Sequence, residues 1–363
     1  MKKQLQTPFY DPKKTYEENY QEGPFGGFAD GKVFKQIGEP RYAYHGHKVY
    51  LPFGIPAGPL LNSNYIKAAF EKGFDICVYK TVRSDYYETH PYPNILSVHT
   101  NGKLTLEKLK KPLLGDMDFQ EPIAITNSFN IPSRKPEIWQ EDMKKARGSA
   151  RKGQVMVGSF VGTVRPNQTH QEFINDWALV ARQVIETGVQ IVEADISCPN
   201  NGAEGLVCYD LETTEKICKA VRKEIGNTPY ILKIGYYEDE KKLEKLAEIA
   251  NNYAQGIAGI NTLQGTIVDK NGEQALPGKT RSRAGVCGAP IKWAGIAMIT
   301  RLKKIREKKN YTFTIDGVGG VTEPEDYDEY KAAGADTVFS ATGAMWNPYL
   351  AQEIKKHNLS LRA

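Results

Sequence analysis

A thiol stands where a buried strand would end. In Glu193-Ala-Asp-Ile-Ser-Cys-Pro-Asn200, the apolar run 189–192 leads to Cys198 and then to a Pro-Asn turn. In parallel α/β architectures, chemistry gathers at the C-terminal edge of the strands. Cys198 is therefore a candidate nucleophile or proton-transfer group. A structural cysteine would look the same in isolation, but Asp195, Ser197 and Asn200 crowd hydrogen-bonding groups around it, which favours chemistry.

Two lysines make the same kind of signal. Lys80 ends the apolar run 76–79, and Lys233 follows Tyr230-Ile-Leu232. An ammonium at the end of an interior strand is costly unless an anion or strong acceptor meets it. A carboxylate partner would satisfy each one; two on the same rim favour a bound electron-rich group such as a reduced flavin. Two glycine clusters, Asp316-Gly-Val-Gly-Gly320 and Ser340-Ala-Thr-Gly343, close the last two expected strands, and Thr342 adds a hydroxyl. Glycine lets backbone N–H groups approach a phosphate, and barrels hold phosphate after strands seven and eight. Asn127, Ser128, Asn200, Asn261 and Thr262 supply neutral donors and acceptors of the kind that fit a planar heterocycle with ring N–H and C=O groups. Singly, such residues serve turns and caps as readily.

These groups need a frame. Apolar runs at 51–59, 75–82, 154–162, 190–198, 230–235, 256–263, 312–318 and 336–341 read as strands. Amphipathic patterns at 171–187, 212–225, 241–251, 293–308 and 325–333 lie between them. Alternation of this kind implies right-handed crossovers and an α/β fold closed into a (β/α)8 TIM barrel. A doubly wound open sheet is the alternative, but no strand–Gly-x-Gly-x-x-Gly–helix unit stands near the start. Residues 83–122 and 265–289 break the alternation as long excursions on the expected catalytic face. Residues 1–48 read as an irregular N-terminal arm, and 49–363 as the barrel domain.

Composition narrows the function class. The 363 residues are 40% hydrophobic and 25% charged with a net charge of +5, ordinary for a soluble globular chain. The basic run 303–309 reads as a solvated helix end, so no nucleic-acid partner is expected. No segment reaches the ~18 apolar residues of a membrane span, and the N-terminus lacks a signal-peptide core. Cysteines at 77, 198, 208, 218 and 287 form no Cys-x-x-Cys pair, which fits a reducing cytoplasm without an iron–sulfur cradle. His45 and His47 lack further ligand-type neighbours, so no metal is expected.

The chain resembles the dihydroorotate dehydrogenase family and, over its core, the pyrimidine-reducing domain of dihydropyrimidine dehydrogenase. The resemblance runs from about Leu51 to Pro348. It is carried by the Cys198 segment followed by Tyr209-Asp-Leu-Glu212, by Pro52-Phe-Gly-Ile-Pro-Ala-Gly58, by Lys80-Thr81, and by Asn127-Ser-Phe-Asn-Ile-Pro132. Leu232-Lys233, Ile260-Asn-Thr262, Gly317-Val-Gly-Gly320 and Ala341-Thr342 follow in the family's order. It implies an FMN barrel oxidising dihydroorotate to orotate in pyrimidine (UMP) biosynthesis. Cys198 would take the C5 proton while hydride leaves C6 for flavin N5. A cysteine here, where membrane-associated relatives use serine, implies the soluble, cytoplasmic branch; relatives also imply a homodimer, and the flavin cycle a separate electron acceptor. Lys80 would serve both flavin and substrate, and Lys233 the reduced flavin. Asn127, Asp195, Asn200, Asn261 and Thr262 would surround the pyrimidine, with the backbone at Phe129, Asn130 and Ile131 receiving its carboxylate. Ala57, Gly58, Thr81, Asp195, Gly288, Gly319, Gly320, Ala341 and Thr342 would line the FMN site.

The chain departs from the family pattern at two site positions. Asp195 replaces the usual asparagine at the ring, and Asn130 replaces a glycine in the carboxylate turn. A carboxylate only accepts hydrogen bonds and repels an anion, so an FMN enzyme acting on a different dihydropyrimidine or enone-like compound is the alternative. A non-catalytic flavin- or nucleotide-binding scaffold is a third reading, disfavoured because Cys198 and Lys80 are both kept.

Overall fold

Eight apolar runs close into a parallel barrel in the computed structural model, which describes residues 5–197 and 206–360. The strands are β1 (Phe53–Ile55), β2 (Ile76–Val82), β3 (Val155–Phe160), β4 (Val192–Asp195), β5 (Tyr230–Ile234), β6 (Gly256–Gly259), β7 (Thr314–Val318) and β8 (Thr337–Phe339). Each pairs in parallel with its neighbours, and β8 closes onto β1 through Val338 and Phe53. One principal helix follows every strand: α1 (Ser63–Glu71), α2 (Pro136–Arg147), α3 (His170–Ile185), α4 (Leu211–Ile225), α5 (Glu240–Tyr253), α6 (Lys292–Lys309), α7 (Pro324–Ala333) and α8 (Leu350–Ser360). This is the (β/α)8 barrel that the alternating pattern implied. All eight expected strands fall on barrel strands, each shorter than its apolar run; β4 stops at Asp195, not at Cys198.

The helices form where one apolar stripe meets good end chemistry. In α4, Ile217, Cys218, Val221 and Ile225 are buried at near-helical spacing. Asp210 caps its first turn by accepting from the Thr213 N–H, and Gly226 ends it at φ 58°. A reciprocal Thr169–Glu172 capping box starts α3.

The barrel is packed from below. Residues 42–44 and 47–49 form an antiparallel hairpin in which Tyr42 pairs with Val49. His45 meets the Thr314 hydroxyl at the start of β7, so the hairpin closes the N-terminal end of the barrel. Tyr44 and Val49 join Ile76, Val78, Val155, Val157, Ile191 and Ile231 in one apolar cluster. The rest of the arm is more ordered than its composition suggested. It carries a capped helix, Tyr16–Glu22, and its Phe9 stacks on Phe28 at 4.3 Å.

The two excursions meet. Ser97–Val98, Leu113–Asp116 and Ala124–Asn127, from the β2–α2 connection, pair with Leu263–Val268 and Arg283–Gly288, from the β6–α6 connection. They close a second, five-stranded sheet. Both connections leave C-terminal strand ends, so this sheet stands over the catalytic face. The expected strand 256–263 is therefore two pieces: β6 in the barrel, and the start of an accessory strand at Leu263.

Candidate active site

A polar layer lies inside the barrel beneath its C-terminal mouth. Lys233 on β5 pairs in register with Asp195 on β4, and both side chains are buried. The Lys233 ammonium donates to the Ala57 carbonyl at 3.0 Å, a neutral partner and its one hydrogen bond among the described residues. No described carboxylate pairs with it, so the structure leaves this buried cation short of an acceptor. Below it, the Ser159 hydroxyl donates to Glu193 at 3.1 Å and lies 3.0 Å from the Thr81 hydroxyl. Burial pushes the Glu193 carboxyl up to about 7, against the pull of nearby Lys233. Asp316 is pushed well above the usual carboxylate range, again by burial; Tyr44 donates to its Oδ2 at 3.1 Å, and its Oδ1 has no described partner.

The glycine loops form a cradle. Gly319 and Gly320 follow β7 with φ of 121° and 73°, a region that favours glycine. A Cβ on Gly320 would lie 2.6 Å from the Lys292 backbone nitrogen, and one on Gly343 would lie 2.2 Å from the Val321 carbonyl. Ser340 ties the two loops together by donating to the Val321 carbonyl and accepting from the Ala344 N–H. Gly288 reaches the same region from the accessory sheet at φ 100°, with the Ile123 carbonyl where its Cβ would be. Thr342 is buried beside Ala341, and the nearby Cys287 thiol donates to the Ile125 carbonyl at 3.6 Å. Gly58, after β1, has φ 134° and open space on its Cβ side.

Across the mouth, Asp195 accepts from the Ser197 hydroxyl at 2.7 Å, and Ser197 accepts from the Asn261 amide at 2.9 Å. A carboxylate only accepts, so the serine must donate to it and the asparagine must donate to the serine. That order leaves the Asn261 carbonyl oxygen for a ring N–H. Thr262 is adjacent and packs over Gly285 of the accessory sheet. Lys80 is buried on β2, with the Thr81 carbonyl 3.3 Å from its ammonium among further contacts.

The turn after Asn127 is unusual. Asn127 itself is exposed at the end of its accessory strand. Asn130 and Ile131 both adopt left-handed backbone, with φ of 74° and 44°. Asparagine tolerates this region, which is how it stands in for glycine here; a β-branched residue does so only under strain. Among the described residues nothing accepts from the N–H groups of Phe129, Asn130 or Ile131. Tyr10 and Tyr16 of the arm pack edge-on against Phe129 at 5.6 and 6.1 Å.

Most of the residues singled out from the sequence thus converge on one face of the barrel. Cys198 and Asn200 lie outside the described residues. Glu193, Ser159 and Ser197 belong to the same network without having been picked as site residues. Ser159 and Glu193 alternate with apolar residues on all-buried strands, a signal the sequence does carry. Among the described residues no group of three His, Cys, Asp or Glu side chains could hold a metal, and no helix is long and apolar enough to cross a membrane.

Comparison with known proteins agrees with the geometry. The family model described as "Dihydroorotate dehydrogenase" matches residues 125–360. A dihydroorotate dehydrogenase from Dictyostelium discoideum is 35% identical over 98% of this chain and 98% of its own. The catalytic subunit of a dihydroorotate dehydrogenase B (NAD(+)) from Methanocaldococcus jannaschii is 27% identical over 65% of this chain and 74% of its own. The PreA subunit of the NAD-dependent dihydropyrimidine dehydrogenase of Escherichia coli is 31% identical over 51% of this chain and 45% of its own. With its barrel, its excursions and its site motifs in this order, the chain belongs to the dihydroorotate dehydrogenase family of oxidoreductases.

Proposed function

We propose that the protein is an FMN-dependent enzyme that oxidises (S)-dihydroorotate to orotate in UMP biosynthesis. The observation that carries the reading is the left-handed turn 129–131, whose three N–H groups have no described acceptor and suit a carboxylate on the edge of the ring. The chain's residues also fit FMN. Gly288, Gly319, Gly320, Ala341 and Thr342 would hold its phosphate. Lys233 would gain an acceptor beyond the Ala57 carbonyl. Ala57, Gly58, Lys80, Thr81 and Asp195 would line the ring system. When bound, the flavin supplies a hydride acceptor at N5.

The remaining chemistry falls to the protein. Cys198, as thiolate, takes the C5 proton; hydride leaves C6, and a C5=C6 double bond forms. Asn127, Asn200, Asn261 and Thr262 hold the ring, and the Asp195–Ser197 relay aims the Asn261 carbonyl at a ring N–H. Lys80 serves both ring systems. The accessory sheet over the mouth excludes water. We read residues 49–363 as the FMN-binding unit with 1–48 as its packed arm, working in the cytoplasm as a homodimer with a separate electron acceptor.

The Asp195 carboxylate motivates a second reading, in which the substrate is another dihydropyrimidine without a carboxylate. Anaerobic titration of the flavin-loaded protein with a panel of dihydropyrimidines separates the two. Bleaching by dihydroorotate at low equivalents is expected. Bleaching only by neutral rings would move the assignment to the second reading, and FAD as the released chromophore would sink the cofactor.

A further inference from the structure

Two buried arginines stand behind the turn. Arg281 comes from the β6–α6 excursion and is 1% exposed. All five of its donors are used: Nε on the Ser128 hydroxyl, Nη1 on the Pro91 and Pro277 carbonyls, Nη2 on the Pro93 and Ser128 carbonyls. Every partner is neutral. A fully buried cation without a carboxylate is costly, and its charge is left for some other anion to balance. Burial pulls the guanidinium down only to about 10, so it stays charged at neutral pH.

Arg83 comes from the end of β2 and is equally buried. Its Nε donates to the Ile131 carbonyl at 3.0 Å, and its Nη2 lies 3.4 Å from the Asn130 carbonyl. Nη1 donates to the Gly162 carbonyl, and the guanidinium stacks on the Tyr87 ring at 4.0 Å. Between the two arginines, the Phe129 carbonyl accepts from the His90 N–H and the Thr89 hydroxyl.

Every carbonyl from Ser128 to Ile131 is therefore occupied from behind. The Ser128 carbonyl shares its peptide group with the Phe129 N–H, and the Asn130 carbonyl shares its own with the Ile131 N–H. A cation bonded to a carbonyl draws density from the attached nitrogen and makes that N–H a stronger donor. The Arg83 guanidinium also holds the left-handed pair, which would not persist unsupported. We propose that Arg281 and Arg83 are positioning residues that charge this turn for an anion, making the site prefer a pyrimidine carrying a carboxylate over the same ring without one. The inference rests on the reading that the turn receives the substrate carboxylate. It also answers Asp195, since two cations behind the turn offset one carboxylate across the ring.

The test uses the oxidised, FMN-loaded protein and two probes, orotate and uracil, titrated by the change in flavin absorbance. Wild type should prefer orotate by roughly 100-fold or more, as sites with buried donors reject a ligand that leaves them unpaired. Arg281→Gln should cut that preference by about 10-fold with uracil affinity little changed, whereas Arg281→Lys, which keeps the charge but loses the fork, should keep most of it. Arg83→Gln and Arg83→Lys should follow the same order. A purely architectural arginine would make the Lys and Gln variants fail alike and move uracil with orotate. Retention of the full preference by both Gln variants, or equal loss in Gln and Lys at each position, would overturn the proposal. If neither Gln variant folds with its flavin, the Lys variants decide: preference kept supports the proposal, and a 10-fold loss overturns it. Wild type showing no preference for orotate would instead overturn the reading of the turn.

Discussion

Replacing Glu193 with glutamine should stabilise the protein at high pH and leave it nearly unchanged at low pH. Glu193 is 3% exposed, accepts one hydrogen bond from Ser159, and lies near both Lys233 and Asp195. Burial raises its carboxyl from 4.5 to about 7, and the attraction of Lys233 only partly opposes this. Between those two values the folded protein holds a proton that the unfolded chain has released. Stability therefore falls as pH rises through that window, by about 1.4 kcal/mol per pH unit, and levels off above pH 7. The accumulated cost is roughly 3 kcal/mol at pH 8. Glutamine cannot ionise, and its carbonyl can still accept from Ser159. Thermal unfolding at saturating FMN should show wild type and Glu193→Gln melting together near pH 5, with the variant about 4 °C higher at pH 8. A variant that melts lower at pH 8, by a margin that grows with pH, would mean that Glu193 is ionised and held by Lys233. The burial argument would then be wrong.

Other outcomes follow from the same geometry. Gly320→Ala puts a methyl 2.6 Å from the Lys292 nitrogen at φ 73°, so it should lose FMN on gel filtration while the apoprotein still folds. Lys233→Met removes a buried cation whose described partner is neutral; it should raise the melting temperature of the apoprotein but slow flavin reduction by ~10-fold or more in stopped flow. Asp195→Asn removes a like charge from the pocket, worth roughly 2–3 kcal/mol at ~6 Å and an effective dielectric of ~20, so orotate should bind at least as tightly. It also frees the Asn261 amide to reverse, so discrimination against N-methylated orotates should weaken; a large loss of orotate affinity would make the carboxylate an essential acceptor.

The barrel was legible because its strands are buried on both faces and read as mostly apolar runs, as in Ile76-Cys-Val-Tyr79 before Lys80. Three of its helices were not, among them the last, Leu350–Ser360. In α1, six of nine residues are buried, among them Tyr65, Ile66, Ala68, Ala69 and Phe70, and its polar face is only Asn64, Lys67 and Glu71, too few to stand out as a period. In α2 the buried stripe is only Trp139, Met143 and Ala146 among many charges. The accessory sheet stayed hidden because its strands are short and join segments far apart in sequence. Leu113, for example, pairs with Ile267, and no local pattern encodes such a contact.

The site divides in the same way. Lys233 and the glycine loops announce themselves by residue type at strand ends. The left-handed backbone at Asn130 and Ile131 does not, because only glycine advertises positive φ. Arg281 looks like one more basic residue in a polar loop until its carbonyl partners are seen. Arg83, directly after an interior strand, carried the same warning as Lys80.

Anaerobic stopped flow with dihydroorotate tests the central claim most directly. The FMN-loaded wild type should bleach fully. Cys198→Ala should keep its flavin but reduce it ~10²–10⁴-fold more slowly at neutral pH, the usual cost of losing a positioned base. Bleaching of Cys198→Ala at the wild-type rate, or a wild-type flavin that stays oxidised in excess dihydroorotate, would contradict the account.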